Sequence, residues 1–211
     1  MEIKPITIVG CGPGSLEYIT PAALREIDQA EVLVGAKRLL DTFPHVKADR
    51  IVVGANVQQA LDELSERFAK QRIVVLVTGD PGLCSLARPV LRRFGLSACR
   101  VLPGISSVQA AFASVGRDWL GAKILSAHDC MPAIEPAGLA LEEKLALLAG
   151  NPANASWVEA LVDRLLPTHE IFICENLTLA DESVRQLHTQ QRPMNLASRS
   201  ILLFFRKESL S

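Results

Sequence analysis

The chain has no excess of charge of either sign: 22 Lys plus Arg stand against 23 Asp plus Glu, a formal net charge of -1. No basic tract occurs, and no interleaving of basic with aromatic residues. The overall field therefore offers nothing to attract a nucleic acid, and an anionic substrate has to be met by local groups. No stretch approaches the roughly 18 uncharged apolar residues that a membrane span needs. The start, MEIKPITIVG, carries an acid and a proline ahead of a strand-like run, unlike a secretory leader, so a cytoplasmic protein is expected. Cysteine is sparse and ill spaced. The five residues Cys11, Cys84, Cys99, Cys130 and Cys174 form an odd set without a C-x-x-C pair. That suits neither a disulfide framework nor a zinc ribbon, and most are read as small buried apolar residues. No G-x-x-x-x-G-K-[ST] phosphate loop, internal repeat or low-complexity segment is present.

What is present is apolar substance: 49% of 211 residues are hydrophobic, enough to bury a sizeable core. Runs rich in Val and Ile recur at ITIVG, EVLVG, RIVVG, RIVVLVTG, SACRVLPG and AKILSAH, then at EIFICEN and SILLFFRK. Helix-like segments separate them: TPAALREIDQ, with Thr20 as cap and Pro21 in the first turn, NVQQALDELSERFAKQ, SLARPVLRRFG and SSVQAAFASVG. Such alternation predicts α/β architecture with parallel strands. Around GRDWLGAK the pattern turns irregular, and ANASWVEALVDRLL is the clearest helix beyond it. Two domains are expected, 1–118 and 119–211, the second a smaller α/β unit.

Three glycine-rich turns follow strand-like runs: GCGPGS at 10–15, TGDPG at 78–82 and PGISS at 103–107. The first is not a dinucleotide fingerprint. Its third glycine comes one residue early, Pro13 lacks an N–H for a phosphate, and the second strand ends in Gly35 where an acidic ribose ligand belongs. A tight turn at a strand end explains any one of the three. Together they place close-approach backbone at the carboxyl ends of three strands, where open parallel sheets bind ligands.

This combination resembles the tetrapyrrole methylases, which methylate corrin and porphyrin precursors with S-adenosylmethionine. The family motifs G-x-G-P-G-[DS], [ST]-G-D-P-G and P-G-[IV]-[ST]-S stand here as GCGPGS, TGDPG and PGISS. VGAKRLLDTFP, SSVQAAFASVGRDWLGAKILSAH and ICENLTLADESV are similar to the branch acting on C-5 of precorrin-6Y or cobalt-precorrin-7 in cobalamin synthesis. The resemblance implies a two-domain fold, each domain a mostly parallel or mixed sheet with flanking helices. It also implies a cleft between the domains that holds the donor mainly through backbone groups, no protein-bound metal, and a homodimer. By motif, Pro13, Gly79, Asp80, Leu83, Ser106, Ser107, Ala149 and Leu177 would line the donor, and Gly12, Lys37 and Arg38 the macrocycle. Only ESLS follows SILLFFRK, so methylation at C-15 with decarboxylation is expected of a separate partner enzyme.

Several of these residues carry a plainer role as well. Asp80 can accept from the donor or organise its own turn; Ser106 and Ser107 can cap the helix they precede. Lys37 and Arg38 match carboxylate arms in chemistry but also suit a solvated surface. His128, with Asp129, ends the strand AKILS and is the candidate to approach the substrate, against a structural role. The sequence departs from its relatives at HDCMPAIEP, where they read H-G-R, and at GNPANASW. Ala36 stands where porphyrinogen-methylating relatives carry an acid, so no proton-abstracting residue is assigned there. Another tetrapyrrole methylase, a relative that modifies protein or RNA, and a noncatalytic nucleotide-binding module remain as alternative readings.

Overall fold

The computed structural model describes residues 4–128, 130–188 and 196–207. Two compact units divide between Ser106 and Ser107. The first holds a five-stranded sheet in the order β3-β2-β4-β1-β5, made of β1 (Ile6–Gly10), β2 (Val32–Gly35), β3 (Asp49–Val52), β4 (Ile73–Val77) and β5 (Cys99–Leu102). Every pairing in it is parallel, as the alternation of strand and helix predicts. The central strands are apolar at consecutive positions because both faces are covered. Ile73, Val75 and Val77 point to one face and pack with α3 (Val57–Arg67) and α4 (Ala87–Phe94). Val74 and Leu76 point to the other and pack with α1 (Pro21–Asp28) and α2 (Lys37–Asp41). Thr20 caps α1, its Oγ1 accepting from the Ala23 N–H at 3.1 Å ahead of Pro21. Gly95, at φ 83°, ends α4.

The connections make one edge of this sheet special. β1 and β4 are neighbours, yet the chain leaves β1 for α1 on one face and leaves β4 for α4 on the other. Such a divergence opens a crevice at the carboxyl ends of the two strands.

The second unit begins with α5 (Ser107–Ser114) and carries a mixed sheet in the order β6-β7-β10-β8-β9. Its strands are β6 (Lys123–Ser126), β7 (Lys144–Ala149), β8 (His169–Glu175), β9 (Ser183–Leu187) and β10 (Ser200–Arg206). β6 and β7 are parallel and the remaining pairs antiparallel. α6 (Ala155–Leu165) buries Trp157, Val158, Leu161, Val162 and Leu165, the stripe that a 3.6-residue period puts on one side, against Leu147, Ile173 and Phe204. α5 covers the other face: Phe112 meets Phe205 edge-on at 5.7 Å, and Phe205 meets Phe172 at 5.9 Å. This packing is why the units divide at 106/107 rather than at 118, where the change of pattern lies. The irregular stretch after α5 is a loop within the second unit. Among the described residues no helix is long and apolar enough to cross a membrane.

Candidate functional site

The three glycine turns converge at the carboxyl ends of β1, β4 and β5. Gly12 and Gly79, both left-handed at φ 71° and 68°, exchange two backbone hydrogen bonds of 3.3 and 2.8 Å. The turn after β5 crosses just above. A Cβ on Gly10 would lie 2.6 Å from both the Gly104 nitrogen and the Gly79 oxygen, and one on Gly104 would run into the Gly79 oxygen. Three strand ends therefore meet as bare main chain, which only glycine permits. Asp80 ties the layers together: Oδ1 accepts from the Gly82 N–H at 2.7 Å and Oδ2 from the Gly104 N–H at 3.1 Å. Of its two possible roles, organising the turn is the one this geometry contains, and an ionised carboxylate keeps acceptor capacity beyond two bonds. Leu83 N–H closes the same turn onto the Asp80 carbonyl at 3.1 Å. Pro13 and Ser106 are buried beside these turns in sequence, and Ser107 opens α5 in the second unit.

The two basic residues after β2 diverge. Lys37 turns along its own helix to Asp41, at 2.8 Å, with its side chain 73% exposed. Arg38 reaches instead across the strand ends, its Nη2 donating to the Thr78 Oγ1 at 3.0 Å. Thr78 belongs to the TGDPG motif, but nothing in that motif names Arg38 as its partner.

In the second unit the expected residues gather at one sheet edge. Ala149 ends β7, Glu175 ends β8, and both stand in register with Ser200 at the start of β10. Ala149 and Leu177 are buried. Gly150 follows at φ 96°, where a Cβ would strike the Ala197 carbonyl. Leu177 sits between two left-handed residues, Asn176 at φ 50° and the β-branched Thr178 at φ 66°. Such backbone carries strain that its surroundings must hold. Asn176 Nδ2 donates to Asp181 at 2.8 Å, and the Thr178 N–H donates to Glu182 at 2.5 Å. His128 is exposed after β6, its carbonyl accepting from Asn151 Nδ2 at 2.7 Å, and Asn154 Nδ2 donates to the adjacent Ala127 carbonyl at 2.7 Å. These asparagines lie in GNPANASW and lash the segment after β7 to the segment after β6, a function that sequence reading missed. Asp129 and residues 208–211 lie outside the described residues.

The cysteines divide more evenly than expected. Cys11 and Cys174 are buried, Cys99 is half-buried, and Cys84 and Cys130 are exposed. Burial pushes the Cys11 thiol up to about 12 and the Cys174 thiol up to about 11. Both are inert as nucleophiles at neutral pH. No group of three or more His, Cys, Asp or Glu that could hold a metal is found among the described residues.

At the opposite, amino-end edge of the first sheet lies a cavity of about 620 Å³ lined by Lys4, Glu26, Glu31, Arg72 and Arg100. Its charges satisfy one another: Glu26 bridges Arg72 at 2.8 Å and Arg100 at 2.9 Å, and Lys4 pairs with Glu31 at 3.0 Å. The guanidinium of Arg72, then that of Arg100, hold the Glu26 carboxyl below its usual value. This is a network that secures strand starts.

The family described as Tetrapyrrole (Corrin/Porphyrin) Methylases matches residues 5–191 of the chain. Cobalt-precorrin-7 C(5)-methyltransferase of Salmonella typhimurium is 33% identical over 183 residues, covering 86% of this chain and 90% of that one. The crystal structure of cobalamin biosynthesis precorrin-6Y methylase from Archaeoglobus fulgidus superposes with a TM-score of 0.72 at 25% identity, over 97% of this chain and 99% of that one. Uroporphyrin-III C-methyl transferase from Thermus thermophilus, complexed with S-adenyl homocysteine, shares the fold with a TM-score of 0.71 at 18% identity, over 95% and 92% of the two chains.

Proposed function

Because the chain belongs to the tetrapyrrole methylases, we propose that it transfers a methyl group from S-adenosylmethionine to C-5 of precorrin-6Y or cobalt-precorrin-7 in cobalamin biosynthesis. The observation that carries this reading is the wall of bare main chain where Gly10, Gly79 and Gly104 meet at the strand ends. It suits a ligand held through backbone groups, since no side chain stands between that ligand and the peptide N–H and C=O. The donor, when bound, supplies a methyl group activated by a positively charged sulfur.

The protein's own work is holding and alignment. In the first unit Gly79, Asp80, Leu83 and Ser106 are assigned to the donor, with Pro13 facing it. In the second unit Ser107, Ala149 and Leu177 are assigned to it. Gly12, Lys37 and Arg38 are assigned to the macrocycle; no catalytic residue is assigned, His128 being a candidate to approach the substrate weighed against a structural role. Fixing the two reactants in line removes much of the entropic part of the barrier. As the positive charge disperses toward the transition state, a water-poor site favours the reaction. Cobalt, where present, is part of the substrate. The reading further assigns the chain to the cytoplasm, as a homodimer that adds one methyl group and leaves C-15 to a separate enzyme.

Incubation with S-adenosylmethionine and each precursor, followed by mass spectrometry, tests it. A product one methyl group heavier, with the new methyl group at C-5, is expected. Methylation of a different ring position, or only of uroporphyrinogen, would replace the substrate assignment while keeping the family. Two added methyl groups or loss of a carboxyl would overturn the single-transfer reading.

A further inference from the structure

We propose that Thr78 is a positioning residue for the macrocycle, its hydroxyl setting the Arg38 guanidinium over the carboxyl ends of β2 and β4 so that the two side chains together receive one carboxylate arm of the substrate. This rests on the reading of the chain as a corrin-precursor methylase.

The structure separates two basic residues that the sequence treats alike. Lys37 is matched with Asp41 on the same helix, a solvated pair of the kind that contributes little. Arg38, one residue on, spans to a strand 40 residues away and meets Thr78 at 3.0 Å. Both Arg38 and Thr78 are exposed, on the same sheet edge as the glycine turns, and Thr78 immediately precedes Gly79. The pairing is chemically directed. Arginine has only donors, so the hydroxyl oxygen must accept, and its own proton stays on the Thr78 side as a donor. A carboxylate that approaches this pair meets a planar cation and a hydroxyl proton from adjoining directions, a combination suited to a planar anion. The hydroxyl also restrains a long side chain before substrate arrives, so less freedom is lost on binding.

The role predicts a particular kinetic pattern. Thr78→Val keeps the shape and removes the acceptor; it should raise KM for the macrocycle roughly three- to tenfold, the worth of one such hydrogen bond, while kcat and the calorimetric affinity for S-adenosylmethionine stay within about twofold. Thr78→Ser should restore KM. In an Arg38→Ala background, Thr78→Val should add less than it does alone, because part of its effect passes through Arg38. A KM unchanged in Thr78→Val, a serine variant as impaired as valine, or full additivity in the double variant would each overturn the proposal. Fluorescence titration with uroporphyrin, a polycarboxylate macrocycle, gives a readout independent of methyl transfer. Weaker binding by Thr78→Val and rescue by Thr78→Ser are expected there too. If the parent binds uroporphyrin in this Thr78-dependent way but methylates neither corrin precursor, the C-5 reading falls and the carboxylate subsite stands. Equal binding by parent and Thr78→Val removes the subsite.

Discussion

Asp80 spends an oxygen on each of two turns, accepting from Gly82 and from Gly104. An asparagine there keeps one acceptor and aims an amide N–H at a backbone N–H, so one bond becomes a repulsion. Asp80→Asn should therefore lower unfolding free energy by about 1–3 kcal/mol, read by urea denaturation. It should also weaken S-adenosylmethionine binding roughly tenfold or more, since a tenfold loss needs only about 1.4 kcal/mol. A variant with parental stability and affinity would remove Asp80 from the support of the three glycine turns and from the proposed donor site. The sequence marks Asp80 through TGDPG and leaves its two roles side by side. It cannot choose between them, because the deciding partner is 24 residues away. Thr78 was legible as a motif residue and illegible as a partner for the same reason, its contact being set by the adjacency of β2 and β4 rather than by spacing.

At the scale of elements, the glycine turns differ in what they tolerate. At Gly10 a methyl group would lie 2.6 Å from backbone atoms of two other turns, none of which can rotate away. Gly10→Ala should cost at least about 1–3 kcal/mol, the range for overpacking. Gly54, after β3, has nothing within 4 Å and no left-handed backbone. Gly54→Ala should be neutral or stabilise by about 0.4–1 kcal/mol through the unfolded chain. Thermal melts of both variants check the contrast, and a Gly10→Ala protein as stable as the parent would mean that the three strand ends do not meet. The parallel sheet was legible because runs of Val and Ile buried on both faces are hard to read otherwise. β7 and β9 were not among the strands read from sequence. KLALLA is built from good helix formers and is a strand only because Leu145 and Leu147 fit the layer under α6. SVRQL is a polar strand beside β8 at the end of the sheet order, with one buried residue, too weak a signal by itself. The left-handed Asn176 and Thr178 leave no mark in a sequence, since strain is a property of the surroundings.

For the whole molecule, the change in pattern near 118 gave a boundary twelve positions late, because α5 reads as one more helix of the first series until Phe112 is seen against Phe205. The division has a practical corollary in the thiols. Cys11 lies in the core of the first unit and Cys174 in the sheet of the second, each raised by burial to about 12 and about 11. A buried thiol reacts only when its surroundings open, so each unit carries a chemical clock of its own opening. With Cys84 and Cys130 blocked first in the native protein, a pulse of iodoacetamide at rising urea and peptide mass spectrometry would time the two clocks separately. Different midpoints are expected, since each thiol belongs to a sheet with its own core; a single shared midpoint would mean that the chain opens as one body.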